Sequence, residues 1–381
     1  MSPSTTYQID MFCHVIDNFG DIGVSWRLAR QLSERGHTLR LWVDDLQSFQ
    51  RLCDGLDTEL AKQRIAGVEI IRWDPRAPRL EPGEVVIEMF GCDPPAEFVA
   101  AMAGRAKKPL WINLEYFSAE PWVNSSHGLP SPHPRLPITR WFFFPGCRPG
   151  TGGLLTPSFG WTAAARESAR ANAMSIYGLA PCHADELVML LFAYPIAPLA
   201  DAARIWSESP QSIRCLIPVG ASASILARAC ARSMATAGTQ WQNGNVTFQV
   251  IPFVDQSRFD QVLAGCDLAF VRGEDSFAQA QWHGRPFVWH LYPQDDFAHL
   301  KKLDAFLALY TEGLDQEAAQ SVVDLWHAWN AVPGTPDLRL AWMAFLARRP
   351  LIAAHANSWA RRMATLGDLA GNLQAFIAER L

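Results

Sequence analysis

Residues 7–36 read YQIDMFCHVIDNFGDIGVSWRLARQLSERG. The apolar run through Val15 and Ile16 has the composition of a buried strand. IGVSWRLARQLSE is apolar at helical spacing and stops at Gly36, where a helix C-terminus wants glycine. A strand that turns directly into a helix opens a parallel α/β unit. A phosphate cradle at this turn would carry several glycines with a Lys or Ser. Here a single Gly20 lies between two carboxylates four residues apart, Asp17 and Asp21, with Asn18 and Phe19 beside it. The plain alternative is that one Asp serves as a helix N-cap, a role Asp favours.

The same alternation continues along the chain. HTLRLWV, GVEIIRW, EVVIEMF, KPLWINLEYF and RWFFFPGC are strand candidates, with a helix over PAEFVAAMAGRA. RPGTGGLLTPSFG, rich in Gly, Pro and Thr, then marks a domain boundary. DELVMLLFAYP, SIRCLIPVG, NVTFQVIPFV, DLAFVRG and PFVWHLYP are strands of a second series. PLADAARIWSES, SASILARACARSMATAG, DQSRFDQVLAGC and SFAQAQWHG are its helices, and from about residue 295 the signal is helical. The expected fold class is α/β: two doubly wound domains facing a central cleft, residues 1–155 and 156–381, with C-terminal helices that pack back on the first domain.

Length and composition agree with two domains, since 381 residues with 49% hydrophobic and 19% charged residues are ample for buried cores. The net charge of -5 argues against a nucleic-acid footprint, which needs clustered Lys and Arg. No export signal opens the chain, and the longest apolar run, ELVMLLFAYPIAPLA, is broken by prolines, so no membrane span is expected. The eight cysteines are never closer than the 15 positions between Cys215 and Cys230, which leaves no CxxC pair. A reduced, cytoplasmic protein is expected. The fifteen tryptophans fall mostly in amphipathic patterns and are expected in cores.

A second constellation is LAFVRGEDSFAQAQWHGRPFVWH, residues 268–290. An apolar strand ends at Arg272, followed by Gly273, Glu274, Asp275 and Ser276. Ser276 is expected to cap the next helix, so that its hydroxyl, the first free N–H groups and the Arg272 fork hold a diphosphate. Glu274 and Asp275 would repel phosphate and are expected to meet hydroxyls or a cation. SFAQAQWHGRP resembles the donor segment of GT-B glycosyltransferases. It keeps the Ser, Ala, Gly and Pro, but Gln279 stands where many such enzymes place a ribose-binding Glu, which leaves Asp275 or the aromatics to hold the nucleoside. Phe192 and Tyr194 close one strand, and Phe253 with Gln256 offers a nucleobase an aromatic face and a polar edge.

VIDNFGDIGVSWRLARQL taken with VRGEDSFAQAQWHGRPFVWH closely resembles the EarP family, protein-arginine rhamnosyltransferases of elongation factor P, and the likeness covers essentially the whole chain. The resemblance implies a GT-B fold of two Rossmann-like domains, the first on the acceptor side and the second binding a dTDP-sugar. It implies dTDP-β-L-rhamnose as donor, an arginine of elongation factor P as acceptor, inversion at the sugar carbon, and neither cofactor nor metal. Carried over by position, Asp21, Asp17 and Glu274 are the catalytic acids. Asn18, Phe19, Gly20, Phe192, Tyr194, Phe253, Gln256, Arg272, Asp275 and Ser276 fall to the donor. On this reading the acid turn holds a cation, the guanidinium. A nucleotide-sugar epimerase on the same fold and a non-catalytic binding protein are the alternatives.

Overall fold

The computed structural model of the chain describes residues 5–17, 19–158, 168, 169, 172, 174, 175, 177, 183, 185–294 and 296–381. They form two compact units, Met1–Thr156 with Met363–Leu381, and Pro157–Arg362.

The first unit starts with β1 (Gln8–Cys13), passes through the acid turn into α1 (Gly20–Glu34), and returns in β2 (Thr38–Val43), parallel to β1. A short helix α2 (Leu46–Gln50) precedes the hairpin of β3 (Lys62–Ile65) and β4 (Val68–Arg72). β5 (Val85–Met89), α3 (Ala96–Gly104), β6 (Leu110–Leu114), α4 (Trp122–Ser126), β7 (Pro130–Pro132) and β8 (Thr139–Phe143) follow. The sheet order is β3-β4-β2-β1-β5-β6-β8-β7, antiparallel only at its two edge pairs. β1, β5 and β6 are buried almost throughout, as parallel strands covered on both faces must be. The chain leaves β1 toward β2 on one side and resumes with β5 on the other, so a topological switch point lies between β1 and β5. The Asp10 carboxylate takes a bidentate pair from Arg40 and further bonds from Trp42 Nε1 and the Gly83 N–H, which ties β1, β2 and the approach to β5 together.

The second unit repeats the plan with β9 (Leu187–Leu191), α5 (Leu199–Ser207), β10 (Ile213–Pro218), α6 (Ala221–Ala229), and the hairpin of β11 (Gln240–Asn243) and β12 (Val246–Ile251). Next come α7 (Gln256–Gly265), β13 (Leu268–Arg272), α8 (Asp275–Trp282) and β14 (Phe287–His290). Its sheet order, β11-β12-β10-β9-β13-β14, places the switch point between β9 and β13. Helices α9 (Ala298–Tyr310), α10 (Gln316–Trp329) and α11 (Leu338–Ala364) complete the unit. Trp206, Trp289, Trp326, Trp329 and Trp342 are almost wholly buried here, so much of the tryptophan content is core.

The last helix, α12 (Leu369–Ala378), belongs to the first unit. Arg35 at the end of α1 pairs with Asp368 at 2.6 Å, Leu369 N–H donates to Leu154 O, and Phe376 packs edge-on to Phe143. The edge strands β3, β7 and β11 were not expected from the sequence. The helix expected over SASILARACARSMATAG ends at Ala229, with Ala231 in a left-handed conformation at φ 55°. Cys182 lies outside the described residues.

Candidate active site

The acid turn sits at the carboxyl end of β1, on the first unit's switch point. Phe19, not an Asp, occupies the N-cap position of α1 and makes no side-chain cap. Asp21 is the second helical residue, and its carboxylate folds back over the turn: Oδ2 accepts the N–H groups of Ile16 and Asp17, each at 2.8 Å. Oδ1 accepts the Tyr116 hydroxyl at 2.9 Å. Asp21 is 1% exposed, a buried acid that shapes the turn it belongs to. Asp17 is half-buried, and its Oδ2 lies 2.6 Å from where a Cβ on residue 20 would stand, which is why Gly20 fits this position. Gly20 N–H closes the turn on Asp17 O. The Arg51 guanidinium lies 5.7 Å from the Phe19 ring centroid. Asn18 lies outside the described residues.

Tyr116, just past β6, was missed in the sequence. It stacks on Phe90, just past β5, at 4.2 Å and 8°. Beside it the Gly91 N–H donates to Asn113 Oδ1, and Asn113 Nδ2 donates to Glu115 Oε1 at 2.7 Å. Burial raises the Glu115 pKa, with the Asn113 bond pulling the other way. The carboxyl ends of β1, β5 and β6 thus converge on Asp21, a convergence visible only once the strand order is known.

The second unit's switch point carries the other constellation. The Arg272 guanidinium sits over both the Phe192 and the Tyr194 rings, 4.6 Å from each centroid. Tyr194 N–H donates to Nδ1 of His290, the residue opposite Arg272 on β14. Desolvation, followed by the nearby Arg272 charge, lowers the His290 pKa to about 3, so its imidazole is neutral at ordinary pH. Gly273 turns the chain at φ 62°, a left-handed conformation suited to glycine, and its carbonyl accepts Trp289 Nε1–H.

The two acids that phosphate should repel both have partners. Glu274 Oε1 pairs with Lys302 Nζ at 2.6 Å, and Asp275 Oδ2 accepts Gln256 Nε2 at 3.0 Å. Lys302 was also missed, being 28 positions away on α9. Gln256 is therefore tied to Asp275, while Phe253 stands half-buried two residues past β12. Ser276 does not cap α8 as expected, because Glu274 holds the N-cap position. The Ser276 hydroxyl instead donates to Arg272 O at 2.6 Å and accepts Arg272 N–H, clamping the end of β13 to the first turn of the helix. It positions the arginine. Among the described residues no group of three or more His, Cys, Asp or Glu is placed to hold a metal ion, and no helix is long and apolar enough to cross a membrane.

Two Rossmann-like units with constellations at their switch points have a counterpart among known proteins. A family model described as EarP, elongation-factor P (EF-P) rhamnosyltransferase, matches residues 9–378. The chain belongs to the EarP family. A Pseudomonas putida member, named protein-arginine rhamnosyltransferase, is 42% identical over 378 residues, 98% of this chain and 99% of that protein. A Pseudomonas aeruginosa member of the same name is 39% identical over the same shares of both chains. A solved structure described as the structural basis for EarP-mediated arginine glycosylation of translation elongation factor EF-P superposes with TM-score 0.67 at 31% identity. It covers 99% of this chain and 100% of its own. The calicheamicin glycosyltransferase CalG4, at TM-score 0.51 and 13% identity, shares the fold alone. This EarP member is a glycosyltransferase of the GT-B fold.

Proposed function

We propose that the chain transfers L-rhamnose from dTDP-β-L-rhamnose to an arginine side chain of elongation factor P, with inversion, in the cytoplasm and without a metal. The observation that carries this reading is the acid turn, which puts Asp21 and Asp17 where a phosphate-binding fold would put glycines and a cation. The names of the relatives supply the arginine and the sugar.

The chemistry suits the residues. A guanidinium has a pKa near ~13.8, so neutralising it at pH 7 costs roughly 9 kcal/mol at ~1.36 kcal/mol per unit. No ordinary carboxylate removes that proton before attack. Carboxylates can hold the guanidinium in line with the anomeric carbon, localise its charge on the far nitrogens, and take the proton as the new bond forms. The C1–N bond forms from one face while the C1–O bond to the diphosphate breaks on the other, which inverts the centre. The leaving dTDP gathers negative charge, and the Arg272 fork with the N-terminus of α8 stabilises it. The Lys302–Glu274 and Gln256–Asp275 pairs blunt the repulsion that two carboxylates would exert on that charge.

Intact-mass analysis of elongation factor P, incubated with this protein and dTDP-rhamnose, tests the reading. A gain of one deoxyhexose, mapped to one arginine, is expected. An unchanged acceptor mass overturns it, and conversion of the donor without acceptor points to an epimerase.

A further inference from the structure

The lone-pair positions of Asp21 single out a residue that nothing above assigns. A carboxylate offers about four acceptor positions, two on each oxygen. On Asp21, two main-chain N–H groups fill those of Oδ2, and the Tyr116 hydroxyl takes one on Oδ1. Among the described residues this leaves one open position, on Oδ1, beside the phenol. The torsion that turns an Asp carboxylate about its Cβ–Cγ bond is broad and intrinsically soft. Here it is held at both ends, by main chain on one oxygen and by Tyr116 on the other.

Tyr116 is itself held. Its ring lies flat on Phe90, whose φ of 59° is a left-handed conformation rare for a bulky side chain. Such a conformation persists only where its surroundings fix it. Phe90 N–H donates to Leu114 O at 2.7 Å, and Gly91 N–H donates to the Asn113 side chain. The platform under the phenol is thus built from the ends of β5 and β6, while the acid it holds comes from the end of β1.

We propose that Tyr116 is a positioning residue for the transfer: its hydroxyl, steadied by Phe90, fixes the plane of the Asp21 carboxylate and directs the open acceptor position of Oδ1 toward the incoming guanidinium N–H. The inference rests on the arginine-transfer reading and gives Tyr116 no contact with the donor.

The test uses the full chain with elongation factor P and dTDP-rhamnose. Tyr116→Phe removes one oxygen and keeps the ring. Losing a hydrogen bond to a charged group lowers kcat by about 10- to 100-fold. The KM for the donor and the calorimetric affinity for dTDP stay at wild-type values, a split that general destabilisation would not give. In an Asp21→Asn background, Tyr116→Phe lowers the residual turnover no further, because its effect runs through Asp21. Phe90→Leu, which leaves the hydroxyl in place but removes its platform, gives a smaller loss of kcat.

A Tyr116→Phe enzyme within twofold of wild-type kcat overturns the proposal, as do losses that multiply in the double variant. If Tyr116→Phe does not fold, Phe90→Leu decides, and an unchanged kcat there is fatal. Failure of the wild-type chain to modify elongation factor P would count against the transfer reading itself, a result separate from either variant.

Discussion

Gly20→Ala is the sharpest probe of the acid turn, because it moves one carboxylate while leaving most of the fold alone. A Cβ at residue 20 would lie 2.6 Å from Asp17 Oδ2, 3.2 Å from its Cγ and 3.5 Å from its Cβ. Only the far end of a side chain is in the way, so the backbone need not shift. The Asp17 carboxylate must swing by roughly 0.8 Å to reach ordinary contact at 3.4 Å. Leaving its rotamer well costs about 0.5–1.5 kcal/mol. Replacing Gly by Ala in a helix returns up to about 1 kcal/mol. Net stability therefore changes by about 1 kcal/mol or less, read as the midpoint of urea unfolding. Turnover should respond far more, because displacing a positioning group by about 1 Å can cost on the order of 100-fold. The assay is a time course of acceptor intact mass at saturating donor. A variant that keeps wild-type kcat, with Asp17 seen to have moved in its crystal structure, would refute the claim that the place of this acid matters. A stability loss above about 3 kcal/mol would refute the claim that only a side chain has to give.

On the donor side, Arg272→Ala should weaken dTDP binding by about 10- to 100-fold in calorimetry, the range for a charge-assisted bond to phosphate; unchanged affinity would remove its phosphate role. Lys302→Met leaves Glu274 half-buried without its ammonium partner, and dTDP affinity should fall about five- to tenfold. Adding Glu274→Gln to Lys302→Met should restore binding, and failure to do so would mean that the pair does not act through charge. His290 gives a pH signature. Its folded pKa of about 3 lies below the unfolded value near ~6.5, so below pH 6.5 the unfolded chain binds a proton that the folded one refuses. This residue alone should take away about 1.6 kcal/mol between pH 6.5 and 5, at ~1.36 kcal/mol per unit and with the unfolded imidazole half protonated at the upper end. His290→Asn should flatten the pH dependence of unfolding over that window, and an unaltered slope would mean that the imidazole is not held neutral.

The α/β architecture was legible because its central strands carry their signal locally. LVMLL and VVIEM are apolar runs too short for helices, flanked by turn residues, and both are buried throughout. The antiparallel edge strands have no such signal. Lys62–Ile65, Pro130–Pro132 and Gln240–Asn243 are polar or proline-rich, and the neighbouring strand defines each of them. The same limit governs the site. Asp17, Asp21 and Arg272 could be singled out because each directly follows or ends a strand next to a helix. Tyr116 is 95 residues from Asp21, and Lys302 is 28 from Glu274. NLEYFSAE reads as the tail of a strand until the sheet order brings it beside β1. Ser276 was misassigned for a different reason. The residue type suits a cap, but the helix begins two residues earlier than expected, which turns its hydroxyl back onto Arg272.

That the first unit closes with residues 363–381 bears on how the protein is made. A ribosome delivers this unit in two instalments, with the whole of the second unit synthesised between them. Until residues 363–381 emerge, the part of α1 that helps to bury Leu369, Leu373, Phe376 and Ile377 stands uncovered, a greasy surface for chaperones or for neighbouring nascent chains. A frameshift or nonsense codon among those for residues 363–381 would thus injure the half of the enzyme encoded more than 200 codons upstream.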